Sequence, residues 1–133
     1  MSPRAVVAHY MQLRDRYWQN AHKMLAVGEY SKASEMLYGA TVESIKAYAL
    51  ATKGARLSTH VEVRAFMREA SKEIGDDGYY SKAFSKAEHL HADFFEGLMT
   101  AEEVQGHLEA TRELLAKLES DCRAAVSTDE KEE

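Results

Sequence analysis

The chain has 133 residues, a formal net charge of −5 and 45% hydrophobic residues. This length predicts one domain whose core is large enough to need no disulfide or metal. The single cysteine, Cys122, excludes an internal disulfide and fits a reducing compartment, so we expect a cytoplasmic protein. We expect no signal peptide or membrane span, since no apolar run approaches about 20 residues. The negative charge argues against broad attraction to nucleic acid, although a local basic patch could still bind it.

Apolar residues recur at spacings of three and four through most of the chain, which is the pattern of amphipathic helices. No stretch alternates with period two for long enough to predict a strand. The predicted helices, taken in chain order, lie near 3–27, 30–53, 60–74, 78–96 and 101–125.

Start and stop signals support these helices. Ser2-Pro3 is typical of an N-cap followed by proline at the first helical position. Thr59–Glu62 and Thr100–Glu103 each have the spacing of a capping box, and Asp76 or Asp77 is a candidate cap for the fourth helix. Glycines that favour a left-handed helix end follow four of the helical patterns, at positions 28, 54, 75 and 97.

Short connections force successive helices to run antiparallel. The sequence therefore predicts an all-α fold, an antiparallel up-and-down bundle of four to five helices, over residues 1–126. Residues 127–133 contain no apolar side chain, so we expect them to form a disordered acidic tail.

Titratable side chains are concentrated in the segment 86–97, Lys-Ala-Glu-His-Leu-His-Ala-Asp-Phe-Phe-Glu-Gly. Lys86 and His91 lie five residues apart, about 140° around a helix, and each could reach the mouth of one groove. Glu88 and His91 also match half of a bundle metal site, but the chain has no second Glu-x-x-His. We therefore predict no metal and no other cofactor.

Each of these side chains also has an ordinary structural interpretation. His91 shares an apolar stripe with Leu90 and Phe94, which is typical of a core or interface histidine. Lys86 is equally well explained as a surface lysine. Phe94 and Phe95 cannot both face one core, so one of them is predicted to pack against a second subunit, which favours a homodimer.

Two further groups are candidates for ligand binding. Glu43 and Lys46 lie among small and apolar residues of the second helix, where they can pair with each other or line a groove. Arg64 and Arg68 form a basic stripe on the third helix together with Lys72. The stripe is either a solvated, salt-bridged face or a contact for the phosphates of RNA or a nucleotide.

Four segments carry a resemblance to a known family. They are Ala-Thr-Val-Glu-Ser-Ile-Lys-Ala at 40–47, Gly54 followed by Thr-His-Val at 59–61, Leu-His-Ala-Asp-Phe at 90–94, and Thr-Ala-Glu-Glu-Val at 100–104. In their order and spacing, over roughly residues 10–120, the chain resembles the HEPN superfamily and, within it, the archaeal PaREP-type proteins.

The resemblance implies a helical bundle that is often dimeric. Many such domains are metal-independent ribonucleases of toxin, defence or RNA-processing systems, whose motif is an arginine followed after four to six residues by a histidine. His91 would match the histidine, as the acid or base of the cleavage. Lys86 stands where the arginine would be, and holds a phosphate as a point charge without the guanidinium fork.

We therefore interpret the chain as a HEPN-like module, dimeric, that binds RNA, a nucleotide or a partner protein without efficient catalysis. Its groove would be lined by Lys86, His91 and Glu43. One alternative is a metal-independent endoribonuclease that uses His91 with Lys86. The other, suggested by the resemblance alone, is an accessory subunit of a nucleotidyltransferase-like partner. None of these functions involves a membrane.

Overall fold

A computed structural model describes residues 2–75, 77–94 and 99–132, with the side chains of all of these except 93–94 and 126–132. The described residues contain helices and no strand, so the predicted all-α class is confirmed. The five helices are α1 (Pro3–Ala26), α2 (Tyr30–Lys53), α3 (His60–Ile74), α4 (Tyr79–Phe94) and α5 (Ala101–Glu132).

The predicted N-terminal caps of α1, α3 and α5 are formed. Ser2 accepts a hydrogen bond from the Ala5 amide at 3.2 Å. Thr59 and Glu62 form a reciprocal capping box at the start of α3, and the Thr100 hydroxyl accepts from the backbone N–H three residues later at 3.1 Å. These caps satisfy amide donors that have no partner inside the helix.

The start of α4 differs from the prediction. Helix α4 begins at Tyr79, and the Gly78 carbonyl accepts the first helical hydrogen bond, from the Lys82 amide at 2.9 Å. Asp77 adopts a left-handed φ of 57° and does not cap the helix. Asp76, the other candidate cap, and the predicted end of the helix at residue 96 lie outside the described residues.

At the C-terminus, α5 extends as far as Glu132. The helix therefore includes residues 127–132. The composition of this segment predicts a disordered acidic tail. The division into a domain over 1–126 and a tail over 127–133 stays a prediction.

Helix α2 is the centre of the bundle, because it packs against each of the other four helices. Only residues 27–29 join it to α1, so these two helices run antiparallel. One buried cluster joins Tyr38, Ile45 and Tyr48 of α2 to α3, α4 and α5. A second cluster joins Leu37 and Ala33 to α1 and to the start of α5.

None of the described helices combines the length and the apolar character that a membrane span requires.

Candidate functional site

Two histidines converge on one buried tyrosine where α2, α3 and α4 meet. Tyr38 is only 5% exposed, and the His91 ring stacks on it with the centroids 4.1 Å apart and the planes 8° from parallel. The Tyr38 hydroxyl and His60 Nδ1 share a hydrogen bond of 2.6 Å. The two imidazole centroids are 6.3 Å apart. We call these three residues the tyrosine–histidine cluster.

Local structure fixes the position of each ring. His60 is the first residue of α3, directly after the capping box of Thr59 and Glu62, so the start of the helix holds its backbone in place. Tyr38 lies in the buried first half of α2. His91 extends from α4, which packs on both of the other helices.

An arginine lies beside the cluster, on the turn of α3 that follows His60. The Arg64 guanidinium binds the Glu88 carboxylate of α4 through two hydrogen bonds, of 2.9 and 2.7 Å. This paired geometry is the strong form of an arginine–carboxylate contact. The two hydrogen bonds orient the guanidinium. The Arg64 side chain remains 50% exposed, so part of it still faces solvent.

Burial sets the protonation states of the cluster. Burial, and then the charge of Glu88, raise the pKa of Tyr38 to about 12, so the phenol is protonated at neutral pH. Burial lowers the pKa of His91, although the nearby carboxylate of Glu35 opposes the shift. A neutral imidazole at pH 7 can accept a proton or a hydrogen bond.

Lys86 does not join His91. It lines a cavity between α2, α4 and α5 together with His107 and Thr41, whereas His91 faces Tyr38 on the side of α2 and α3. The two side chains lie five residues apart on α4, and this spacing directs them to different neighbours. Among the described residues, Lys86 and His91 therefore face different neighbours, and a shared groove stays a prediction.

Glu43 lies apart from both of these regions. It pairs with Lys46 at 3.8 Å, which confirms the pairing that the sequence predicted. Burial raises the pKa of Glu43, while the charges of Lys46 and of His9 on α1 lower it. The pair therefore belongs to the contact between α1 and α2.

The basic stripe on α3 is divided among several neighbours. Arg64 pairs with Glu88 beside the cluster, and Lys72 pairs with Glu69 at 3.4 Å. Arg68 lines a separate pocket beside the turn between α3 and α4, together with Lys72 and Ser71. Of the two arginines predicted to bind a ligand, only Arg64 is placed beside a histidine of the cluster.

Sequence reasoning missed Tyr38, His60 and His107 as functional candidates. Tyr38 is not singled out by any motif, and His60 is noted only within the Thr-His-Val segment at 59–61. His107 had a recognisable signal, because it lies three residues after Val104 and four before Thr111, on the apolar stripe of α5. Tyr38 and His60 are 22 positions apart, and no local pattern connects them.

In the part of the chain that the structure describes, no group of three or more His, Cys, Asp or Glu side chains is placed to hold a metal ion. The chemistry available at the cluster is that of imidazole, phenol, guanidinium and carboxylate groups.

The fold and the site define an all-α bundle protein with a tyrosine–histidine cluster between three of its helices. The family model described as the archaeal PaREP1/PaREP8 family matches residues 9–115, and the chain belongs to that family. Comparison with curated proteins finds no match. The matched range contains every residue of the cluster, together with Arg64 and Glu88.

Proposed function

We propose that the chain is a HEPN-like helical module that binds the base and phosphate of a ribonucleotide, either free or in single-stranded RNA, at the tyrosine–histidine cluster. The observation that supports this function is the exposed His60 ring, held by the Tyr38 hydroxyl, together with half-exposed Arg64 on the next turn of α3. Imidazole and aromatic rings stack on nucleobases. A guanidinium matches the geometry of a phosphate.

Arg64 has donors left for a phosphate. Glu88 takes the hydrogen bonds from Nε and from one terminal nitrogen, and a guanidinium has five N–H donors in all. Glu88 also neutralises much of the charge of Arg64, so the affinity should be moderate and confined to this cluster. The net charge of −5 fits such local recognition better than broad binding along an RNA backbone.

The test is RNA binding by wild type and Arg64→Gln, followed by fluorescence anisotropy of a labelled single-stranded oligonucleotide. Loss of a charge-assisted hydrogen bond should weaken binding by about tenfold. Arg123→Gln is the matched control, because Arg123 also pairs with a glutamate, Glu119, at 2.9 Å on α5. Equal affinity of all three proteins, or no binding by wild type, would contradict the proposal.

Competition with adenosine monophosphate separates the two sources of the ligand. If adenosine monophosphate displaces the oligonucleotide at a concentration comparable to that of the nucleotides in the oligonucleotide, a single nucleotide is the ligand. If displacement needs a large excess, the cluster recognises a nucleotide within a strand.

Metal-independent RNA cleavage is the second candidate function. The favouring observation is two imidazoles with centroids 6.3 Å apart beside an arginine. His91 would remove the proton of the ribose 2′-hydroxyl, which attacks phosphorus, while a protonated His60 gives its proton to the departing 5′-oxygen as the P–O bond breaks. Arg64, rather than Lys86, would stabilise the charge on the phosphate.

Cleavage is tested with RNA in EDTA. The enzyme hypothesis expects cleavage by wild type and by Lys86→Ala but none by His91→Ala, since Lys86 faces a different cavity. If His91→Ala still cleaves RNA, this mechanism is excluded. If Lys86→Ala no longer cleaves RNA, the result favours the alternative in which Lys86 acts together with His91.

A homodimer and a protein partner are also proposed. Phe95 and the side chain of Phe94, which predicted the dimer contact, lie outside the described residues. Light scattering during gel filtration gives the mass in solution directly. A stable complex with a nucleotidyltransferase-like protein in a pull-down, without RNA affinity, would favour the accessory-subunit alternative.

A further inference from the structure

A cavity of about 250 Å³ lies between α2, α4 and α5, and none of the three cluster residues lines it. Its apolar wall is formed by Ala83, Ala87, Ala110 and Leu114. A dry cavity of roughly 150 Å³ already admits benzene. The space therefore suits a small organic molecule.

The cavity contains a buried polar group without a partner. His107 is only 3% exposed, and its Nδ1 lies 3.2 Å from the Ser34 hydroxyl. Within the described residues, its Nε2 has no hydrogen-bond partner. Buried polar atoms are normally satisfied, so an unsatisfied one on a side chain that lines a cavity is a candidate partner for a ligand atom. When the Ser34 hydroxyl donates to Nδ1, Nε2 carries the hydrogen and can donate it to the ligand.

Three charged side chains line the cavity, and the ammonium of Lys86 is the one proposed to meet a ligand. Burial and the nearby charge of Lys86 lower the pKa of His107 to about 4, so the imidazole is neutral at pH 7. Lys82 also lines the cavity, but its ammonium donates to the Asp77 carbonyl at 3.1 Å. The exposed carboxylate of Glu113 lines the same space. Two ammoniums and one carboxylate give the lining a formal charge of +1, which favours a singly charged anion over a polyphosphate.

We propose that this cavity binds a small organic monocarboxylate. Its apolar body would pack against the alanines and Leu114. Its carboxylate oxygens would accept hydrogen bonds from Nε2–H of His107 and from the Lys86 ammonium. This gives Lys86 a ligand-binding role in a site separate from the tyrosine–histidine cluster.

The test uses benzoate as the probe and the full-length protein, followed by amide chemical shifts in ¹H–¹⁵N spectra. Benzoate should shift the amides of Ala83 and Ala110, and should bind about tenfold more tightly than the uncharged analogue benzyl alcohol. Lys86→Gln should weaken benzoate binding by a similar factor. Lys32→Gln, a change at an exposed lysine of α2, is the control and should leave the affinity unchanged.

Ala110→Leu gives a second test that does not alter charge. Ala110 is only partly buried, so the larger side chain should fill the cavity and abolish benzoate binding while the protein stays folded. Benzoate that shifts no cavity amide, or whose affinity survives both Lys86→Gln and Ala110→Leu, overturns the proposal. So does equal binding of benzyl alcohol or of inorganic phosphate. Arg64→Gln should leave the benzoate affinity unchanged. The benzoate experiments therefore test the cavity independently of the RNA-binding proposal.

Discussion

His107 shows how burial, together with the nearby charge of Lys86, changes the acid–base behaviour of a residue. The folded protein holds the imidazole with a pKa of about 4, while an unfolded chain binds the same proton near pH 6.5. Between these values the unfolded state binds more protons than the folded state. The stability that the neutral imidazole supports is therefore fully present above pH 6.5 and is lost as the pH falls towards 4.

This difference predicts a specific loss of stability in mild acid. Lowering the pH from 7 to 5 should reduce the free energy of unfolding by roughly 2 kcal/mol through His107 alone. His107→Asn, which keeps a polar partner for Ser34 but cannot titrate, should remove most of that dependence. Urea unfolding of both proteins at the two pH values measures the effect.

The control is a histidine on the surface. His22 is exposed on α1, so His22→Asn should leave the wild-type pH dependence in place. If His107→Asn loses as much stability between pH 7 and 5 as wild type, another group is responsible for the dependence.

Residue contacts were predictable only where they are local. The pairing of Glu43 with Lys46 follows from a spacing of three on one helix, and the structure contains it. The hydrogen bond between Tyr38 and His60 joins two helices across 22 positions, and it depends on how α3 docks against α2. The sequence therefore identified His91 as a candidate but not the two rings beside it.

At the scale of the helices, the packing of α1 on α2 depends on one glycine. A Cβ atom built at Gly39 would lie 2.8 Å from Cδ1 and 2.9 Å from Cε1 of the Tyr17 ring. These distances are shorter than van der Waals contact, so a side chain at position 39 would push the two helices or the ring apart. Glycine is thus required here for close approach and not for a turn.

Gly39→Ala should therefore lower the free energy of unfolding by roughly 1–3 kcal/mol, the usual cost of overpacking. Gly106→Ala is the matched control, since Gly106 also lies in a helix but a Cβ there meets no atom within 4 Å. Alanine has a higher helix propensity than glycine, so Gly106→Ala should stabilise the protein by about 0.5–1 kcal/mol. Chemical denaturation measures both, and equal stabilisation by the two substitutions would show that the ring moves aside without cost.

The helices themselves were largely predictable because their signals are short-range. Ser2, Thr59 and Thr100 each cap a helix within three residues of chain. The start of α4 was not predictable in the same way. Asp77 and Gly78 both have a positive φ directly before the helix, which begins at Tyr79, and this geometry depends on the whole turn rather than on one capping residue.

At the scale of the whole molecule, the two faces of α4 meet two separate groups of side chains. His91 and Glu88 face the tyrosine–histidine cluster, and Lys86 faces the cavity with His107. The amphipathic pattern of α4 predicted that one side would be buried. It could not show that the flanks would meet different neighbours, because that depends on α3 and α5 packing on opposite sides of the helix.

The acidic C-terminal segment should influence RNA binding through charge alone. Removing residues 127–133 takes away four carboxylates and one ammonium, which changes the formal charge from −5 to −2. At low salt the shortened chain, 1–126, should bind the oligonucleotide about two- to fivefold more tightly, because less negative charge repels the phosphates. The gain should vanish at about 0.5 M salt, where screening limits such interactions to within roughly 5 Å.

The same truncation tests the domain boundary. Residues 127–133 carry no apolar side chain, so their removal should change the free energy of unfolding by less than about 0.5 kcal/mol. A full-length variant with Asp129→Asn, Glu130→Gln, Glu132→Gln and Glu133→Gln separates charge from length, and should reproduce the tighter binding. If the truncation destabilises the protein while this variant does not, the segment belongs to the folded domain. If neither changes the affinity at low salt, whole-molecule charge does not govern access to the cluster.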